Sequence, residues 1–182
     1  MKNPGLRPKR YNLTGRLLHW LMAVLLLSTL FIGVAISSSL QWRAQLLSAH
    51  LMLGTSIFIF VVIRICNRLR GPSPASPEGL TLVHRYGLAA VHIAFYGLMT
   101  MLPLIGWAML SAGGYPTPSV LGKALPALVQ PDPGLYAALQ QTHALLAYAF
   151  FALMLLHLAA ALFHAWIKRD GIFTRMGFGP SK

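Results

Sequence analysis

The stretch Thr142–Lys168, THALLAYAFFALMLLHLAAALFHAWIK, is apolar over a bilayer's hydrocarbon thickness yet carries His143, His157 and His164. A run of that length and character folds as a membrane-spanning helix, because lipid offers no partner to an unbonded backbone N–H or C=O. In such a helix fourteen residues complete about four turns, so His143 and His157 share one face about 21 Å apart along the axis. One imidazole then stands near each membrane surface. An ionisable ring at that depth must face protein and be matched there. Whatever matches these rings constrains the rest of the chain.

Three further apolar runs precede this one. With 56% hydrophobic residues and a mean hydropathy of +0.62, the chain is too apolar for an ordinary soluble domain. We expect spans over about 17–38, 46–66, 86–110 and 139–167 within a single domain over 1–182. The fold class is all-α, an integral membrane four-helix bundle of up-down-up-down topology. The basic leader and first apolar run have the order of a signal peptide. That run is too long for a signal core and no small-residue cleavage pattern follows it, so it is expected to be retained. Gly71–Gly79, GPSPASPEG, reads as a loop between the second and third spans. Pro103 should kink the third span, and Ser111–Leu135 is a long proline-rich connection.

Fifteen Lys and Arg against three acids, a net charge of +12, could indicate nucleic acid. Here the cations flank the apolar runs instead of forming a stripe, so they are topology signals and no nucleic-acid partner is expected. Thirteen fall in the leader, the second connection and the tail, and only Arg43 and Lys123 on the opposite side. That bias places both termini of a multi-pass membrane protein in the cytoplasm. His50 and His143 then lie near the outer surface, and His19 and His157 towards the inner. Cys66 is the single cysteine, which excludes a disulfide framework, covalent haem attachment through CxxCH and a cysteine-held cluster.

Each histidine pair joins two helices at one level, as bis-axial ligation of a haem iron requires. Four residues after each of these histidines stands a small residue: Ala23, Gly54, Ala147 and Ala161. One turn from an axial ligand, a small side chain leaves room for the macrocycle plane. The same small residues would also pack helices closely without a cofactor, so a haem-free channel or scaffold is the alternative reading. His92 competes with His19 for the inner position; Ala23 and the Leu18-His19-Trp20 context favour His19.

His19-Trp20, His50, His92 eleven residues before Leu102-Pro103, and His143 with His157 fourteen apart resemble the bacterial cytochrome b561 family over almost the whole chain. The length is similar to that of the stand-alone superoxide oxidase type, which passes electrons from superoxide to ubiquinone. The resemblance implies two b haems, the inner held by His19 and His157 and the outer by His50 and His143. It also implies a relation to cytochrome b subunits that anchor a partner dehydrogenase, so a relay between such a partner, or a periplasmic carrier, and quinone is a second alternative. For propionates, Arg16, Arg64, Lys168 and Arg169 are candidates inside and Arg43 and Lys123 outside. His92 and His164 are candidates for a proton donor at an inner quinone slot. Superoxide, or another periplasmic electron donor, would approach the outer haem.

Overall fold

A computed structural model describes residues 10–70 and 82–177, with the side chains of Val83 and His84 excepted. The Met1–Lys9 part of the leader and the Gly71–Gly79 loop lie outside the described residues. Four helices, α1 (Leu13–Ser38), α2 (Arg43–Arg70), α3 (Leu82–Ala112) and α4 (Pro133–Leu162), run in sequence, each long and apolar enough to cross a membrane. α4 continues into one π-helical turn over Phe163–Lys168, and a 3₁₀ turn follows at Phe173–Arg175.

The helices begin several residues ahead of the apolar runs because polar caps extend them. Asn12 caps α1, its side-chain oxygen accepting from the Gly15 N–H at 2.8 Å. Asn12 also exchanges amide hydrogen bonds with Asn67 at 3.2 and 3.3 Å, which ties the start of α1 to the end of α2. Asp132 caps α4 by accepting from the Leu135 N–H at 2.9 Å, and Pro133, with no N–H to satisfy, opens the first turn. Asp132→Ala is therefore expected to cost about 1 kcal/mol, and Asp132→Asn almost nothing, read as midpoints of thermal unfolding in detergent.

α1 packs along α2 and α3 along α4, and the two hairpins meet mainly through α2 and α3. α4 makes little backbone approach to α1 or α2. The middle of the bundle is filled by Met22 and Leu26 of α1, Ile57 and Val61 of α2, Met99 and Leu102 of α3, and Phe150 of α4. Large apolar side chains such as Phe31, Ile93, Leu145 and Leu156 point outward, a coat that suits lipid. α3 runs unbroken through Pro103.

The long connection is shorter and more ordered than its composition suggests. Ser119–Val120 pairs antiparallel with Lys123–Ala124, a two-stranded hairpin that the sequence reading does not anticipate. Leu121 (φ 51°) and Gly122 (φ 77°) form its two-residue turn, as hairpins joined by primed turns require. The loop is pinned to α3: Trp107 Nε1 donates to the Pro126 carbonyl at 3.0 Å, and Ser111 Oγ accepts from Leu128 N–H at 3.1 Å. Gly113 is required where the Tyr115 and Tyr136 rings converge, because a Cβ there would stand 2.5 Å from Tyr115 and 2.9 Å from Tyr136.

Candidate functional site

Two pairs of imidazoles bridge the hairpins, each taking one ring from the α1–α2 hairpin and one from α4. At the outer level the centroids of His50 and His143 are 6.2 Å apart with ring planes at 67°. At the inner level His19 and His157 are 6.3 Å apart at 74°. His157 meets His19 although the two lie at different distances from their flanking cations, and it is the exposed member of the four; the others are half-buried.

The outer rings are laid against backbone within their own hairpins. A Cβ on Gly33 of α1 would stand 3.3 Å from His50 Cε1, and one on Gly106 of α3 would stand 3.5 Å from His143 Cε1. Nδ1 of both rings is buried, and the Thr29 carbonyl of α1 faces the His50 ring as the Leu102 carbonyl of α3 faces His143, the kind of partner to which a metal-ligating imidazole turns its second nitrogen.

These distances fit one metal between each pair. An imidazole nitrogen about 2 Å from a metal on either side puts the two ring centroids about 6 Å apart. The small residues fit as well. A Cβ on Gly54 would meet no atom within 4 Å, so no neighbouring protein group demands glycine there. Ala23 and Ala161 are half-buried, and Ala147 packs against the mid-membrane core.

Other groups at the inner level are engaged with protein. Arg64 of α2 lies fourteen residues beyond His50, on nearly the same helix face. Its Nη2 lies 3.2 Å from His19 Nδ1 and its Nε donates to the Tyr96 hydroxyl at 3.3 Å. A guanidinium has no acceptor, so His19 Nδ1 accepts this bond. Phe95 of α3 stands edge-on to His157 at 5.1 Å and to Phe150 at 5.7 Å. His92 Nδ1 donates to the Leu88 carbonyl of its own helix at 2.7 Å, and the ring that stands across from His157 is His19.

The candidate propionate cations are arranged differently. Arg16 Nη1 donates to the Gly177 carbonyl at 2.8 Å, Lys168 Nζ lies 5.8 Å over the Phe163 ring, and Arg169 Nε donates to the Trp166 carbonyl at 3.1 Å. Trp20 donates from Nε1 to the Met176 carbonyl at 2.9 Å. The tail therefore returns to α1 beside His19. His164 Nδ1 lies 2.6 Å from Asp170 Oδ2. Some desolvation pushes the Asp170 carboxyl up, but the hydrogen bonds from His164 and the Ile172 N–H, with the nearby charges, hold it below the usual carboxylate range.

The sequence reading misses Gly33, Gly106 and Asp170. The two glycines act across a helix contact, where spacing along one helix carries no signal. Asp170 reaches His164 only because the π turn and the left-handed Arg169 (φ 52°) fold the chain back.

A sequence model of prokaryotic cytochrome b561 matches residues 10–179. The chain is 30% identical over 174 residues to the probable superoxide oxidase CybB of Yersinia pestis, covering 92% of this chain and 96% of that protein. It is 27% identical over 173 residues to cytochrome b561 homolog 2 of Escherichia coli K12, covering 93% and 92%. With cytochrome b561 homolog 1 of the same organism it shares 26% over 178 residues, covering 92% and 96%.

Proposed function

The chain belongs to the prokaryotic cytochrome b561 family, multi-pass electron-transfer proteins of the bacterial inner membrane that bind b-type haem, and from that premise we propose that it is a superoxide:ubiquinone oxidoreductase with two haems. The observation that carries this reading is the pair of imidazole couples, at 6.2 and 6.3 Å, each spanning the two hairpins. His50 and His143 hold the outer group; His19 and His157 hold the inner. Bound there, haem b would supply a one-electron couple, and with an imidazole available from each hairpin to hold it the chemistry would be outer-sphere electron transfer.

The side chains around each group have separate tasks. Gly33 and Gly106 let the outer rings lie flat against backbone and fix their direction. The Arg64 guanidinium, 3.2 Å from His19 Nδ1, brings a fixed positive charge to the inner level, where it would offset a haem propionate. Ala23, Gly54, Ala147 and Ala161 leave space for the macrocycles, and Arg16 is the nearest α1 cation to the inner site in sequence. Met22, Leu26, Ile57, Val61 and Phe150 exclude water and ions between the two levels. Both termini lie on the cytoplasmic side. Two superoxide anions give two molecules of dioxygen on the periplasmic side, and one ubiquinone takes up two electrons and two protons at the inner end, where His92 and His164 are the candidate proton donors.

The test is the purified single chain in detergent. Its dithionite-reduced minus oxidised spectrum should show b haem at two per chain, and pulse-generated superoxide should reduce it, followed by reoxidation with a short-chain ubiquinone. A colourless protein grown with ample haem overturns the reading. Haem that ignores superoxide, in a protein that co-purifies with a dehydrogenase or a periplasmic carrier, assigns it instead to a membrane-anchor subunit.

A further inference from the structure

Only three acidic residues occur in this chain, and one of them, Asp170, stands 2.6 Å from the imidazole of His164. The contact is built by local backbone. α4 widens into a π turn over Phe163–Lys168 and stops at the left-handed Arg169, whose N–H returns to the His164 carbonyl at 2.8 Å. Asp170 Oδ1 accepts from the Ile172 N–H at 3.2 Å, which leaves Oδ2 for His164. The Phe163 ring packs edge-on to the imidazole at 6.1 Å. Single π turns in α-helices recur at functional sites.

The position matters as much as the contact. His164 lies seven residues beyond His157, about 10 Å along the helix and on nearly the same face. Beyond Asp170 the chain returns to α1, where Met176 and Gly177 accept from Trp20 and Arg16. The pair therefore sits on the rim of the inner site, between a ring of that site and the segment that covers Trp20. Its side chains are 26% and 32% exposed, so it touches both the rim and water. The charged groups of the elements packed here are Lys168 on the π turn, Arg169 just after it, Arg175 on the 3₁₀ turn and Arg16 on α1.

We propose that His164 and Asp170 form a carboxylate–imidazole relay that carries protons from cytoplasmic water to the quinone, with Asp170 as the positioning residue; this rests on the proposed quinone reduction at the inner end. Asp170 stays ionised and holds the proton on His164 Nδ1, so Nε2 is the nitrogen that exchanges. Each transfer breaks the Nε2–H bond of the imidazolium and forms an O–H bond at a quinone carbonyl oxygen. The neutral ring then takes a proton from water. Two such transfers match the two electrons that the proposed activity delivers.

Two measurements on the full haem-loaded chain test this. Nitrogen-15 NMR of histidine-labelled protein should show His164 as a single Nδ1–H tautomer, and Asp170→Asn should give a mixture. Reoxidation by a short-chain ubiquinone, followed from pH 5 to 9, should slow about tenfold to a hundredfold in Asp170→Asn, with an altered pH profile. Asp170→Glu should restore both, and His164→Gln should slow the step at least as much, with haem content checking that each variant is folded. An Asp170→Asn protein that loses the tautomer preference but follows wild type at every pH makes the pair a structural staple and overturns this inference alone. A wild type that takes up superoxide electrons but reduces no quinone overturns the functional reading, and this one with it.

Discussion

His143→Ala is expected to purify with one haem per chain against the two proposed for wild type, and His157→Ala likewise, each losing a different component of the reduced spectrum. The argument is geometric. His143 pairs with His50 at the outer level and His157 with His19 at the inner, and α4 carries one ring of each pair. Removing His143 leaves His50, which lies against Gly33, as the one imidazole that would hold the outer haem. The inner pair, about 21 Å away along α4, keeps both rings. Haem quantification against protein concentration and a reduced-minus-oxidised spectrum read the result directly. Retention of both haems in His143→Ala would sink the ligand assignment.

Phe150→Ala should destabilise the bundle by about 3–5 kcal/mol, the range for emptying a large aromatic site in a packed interior. Phe150 is 1% exposed and lies seven residues from each α4 histidine on the same face. It is the side chain with which α4 fills the space between the two levels, against Met22, Leu26, Ile57, Val61, Met99 and Leu102. Phe95 stacks edge-on to it at 5.7 Å. α4 otherwise stands off α1 and α2, so little neighbouring backbone can collapse into the cavity. Phe150→Leu, which keeps most of the volume, should cost less than about half as much. Thermal unfolding in detergent, followed by haem absorbance, compares the two. A Phe150→Ala midpoint equal to wild type would mean that lipid or detergent, not side-chain packing, fills the middle of the bundle.

The four spans were legible because hydrocarbon length and backbone satisfaction leave a twenty-residue apolar run almost no other fate. Their ends were less so. α4 begins at Pro133 and α1 at Leu13 because Asp132 and Asn12 cap them, and a cap acts on backbone donors that a hydropathy pattern ignores. The level-matched histidines could be read from fourteen-residue spacing on one helix. Pairing His157 with His19 needed the relative depth of two helices, which is set by packing. Gly33, Gly106 and the approach of Arg64 to His19 depend on rotation of one helix against its neighbour, information spread over the whole interface. The hairpin at Ser119–Ala124 escaped because strands of two residues carry no period, and the His164–Asp170 contact because an α-helical wheel does not anticipate a π turn.

α4 supplies one ring to each pair, and it leaves the ribosome after α1, α2 and α3. Neither proposed haem level can be assembled in a nascent chain that has made only α1, α2 and α3, however well the α1–α2 hairpin has already folded. Haem insertion at either proposed level therefore waits for α4, and a chain arrested before His143 has no route to a half-loaded form.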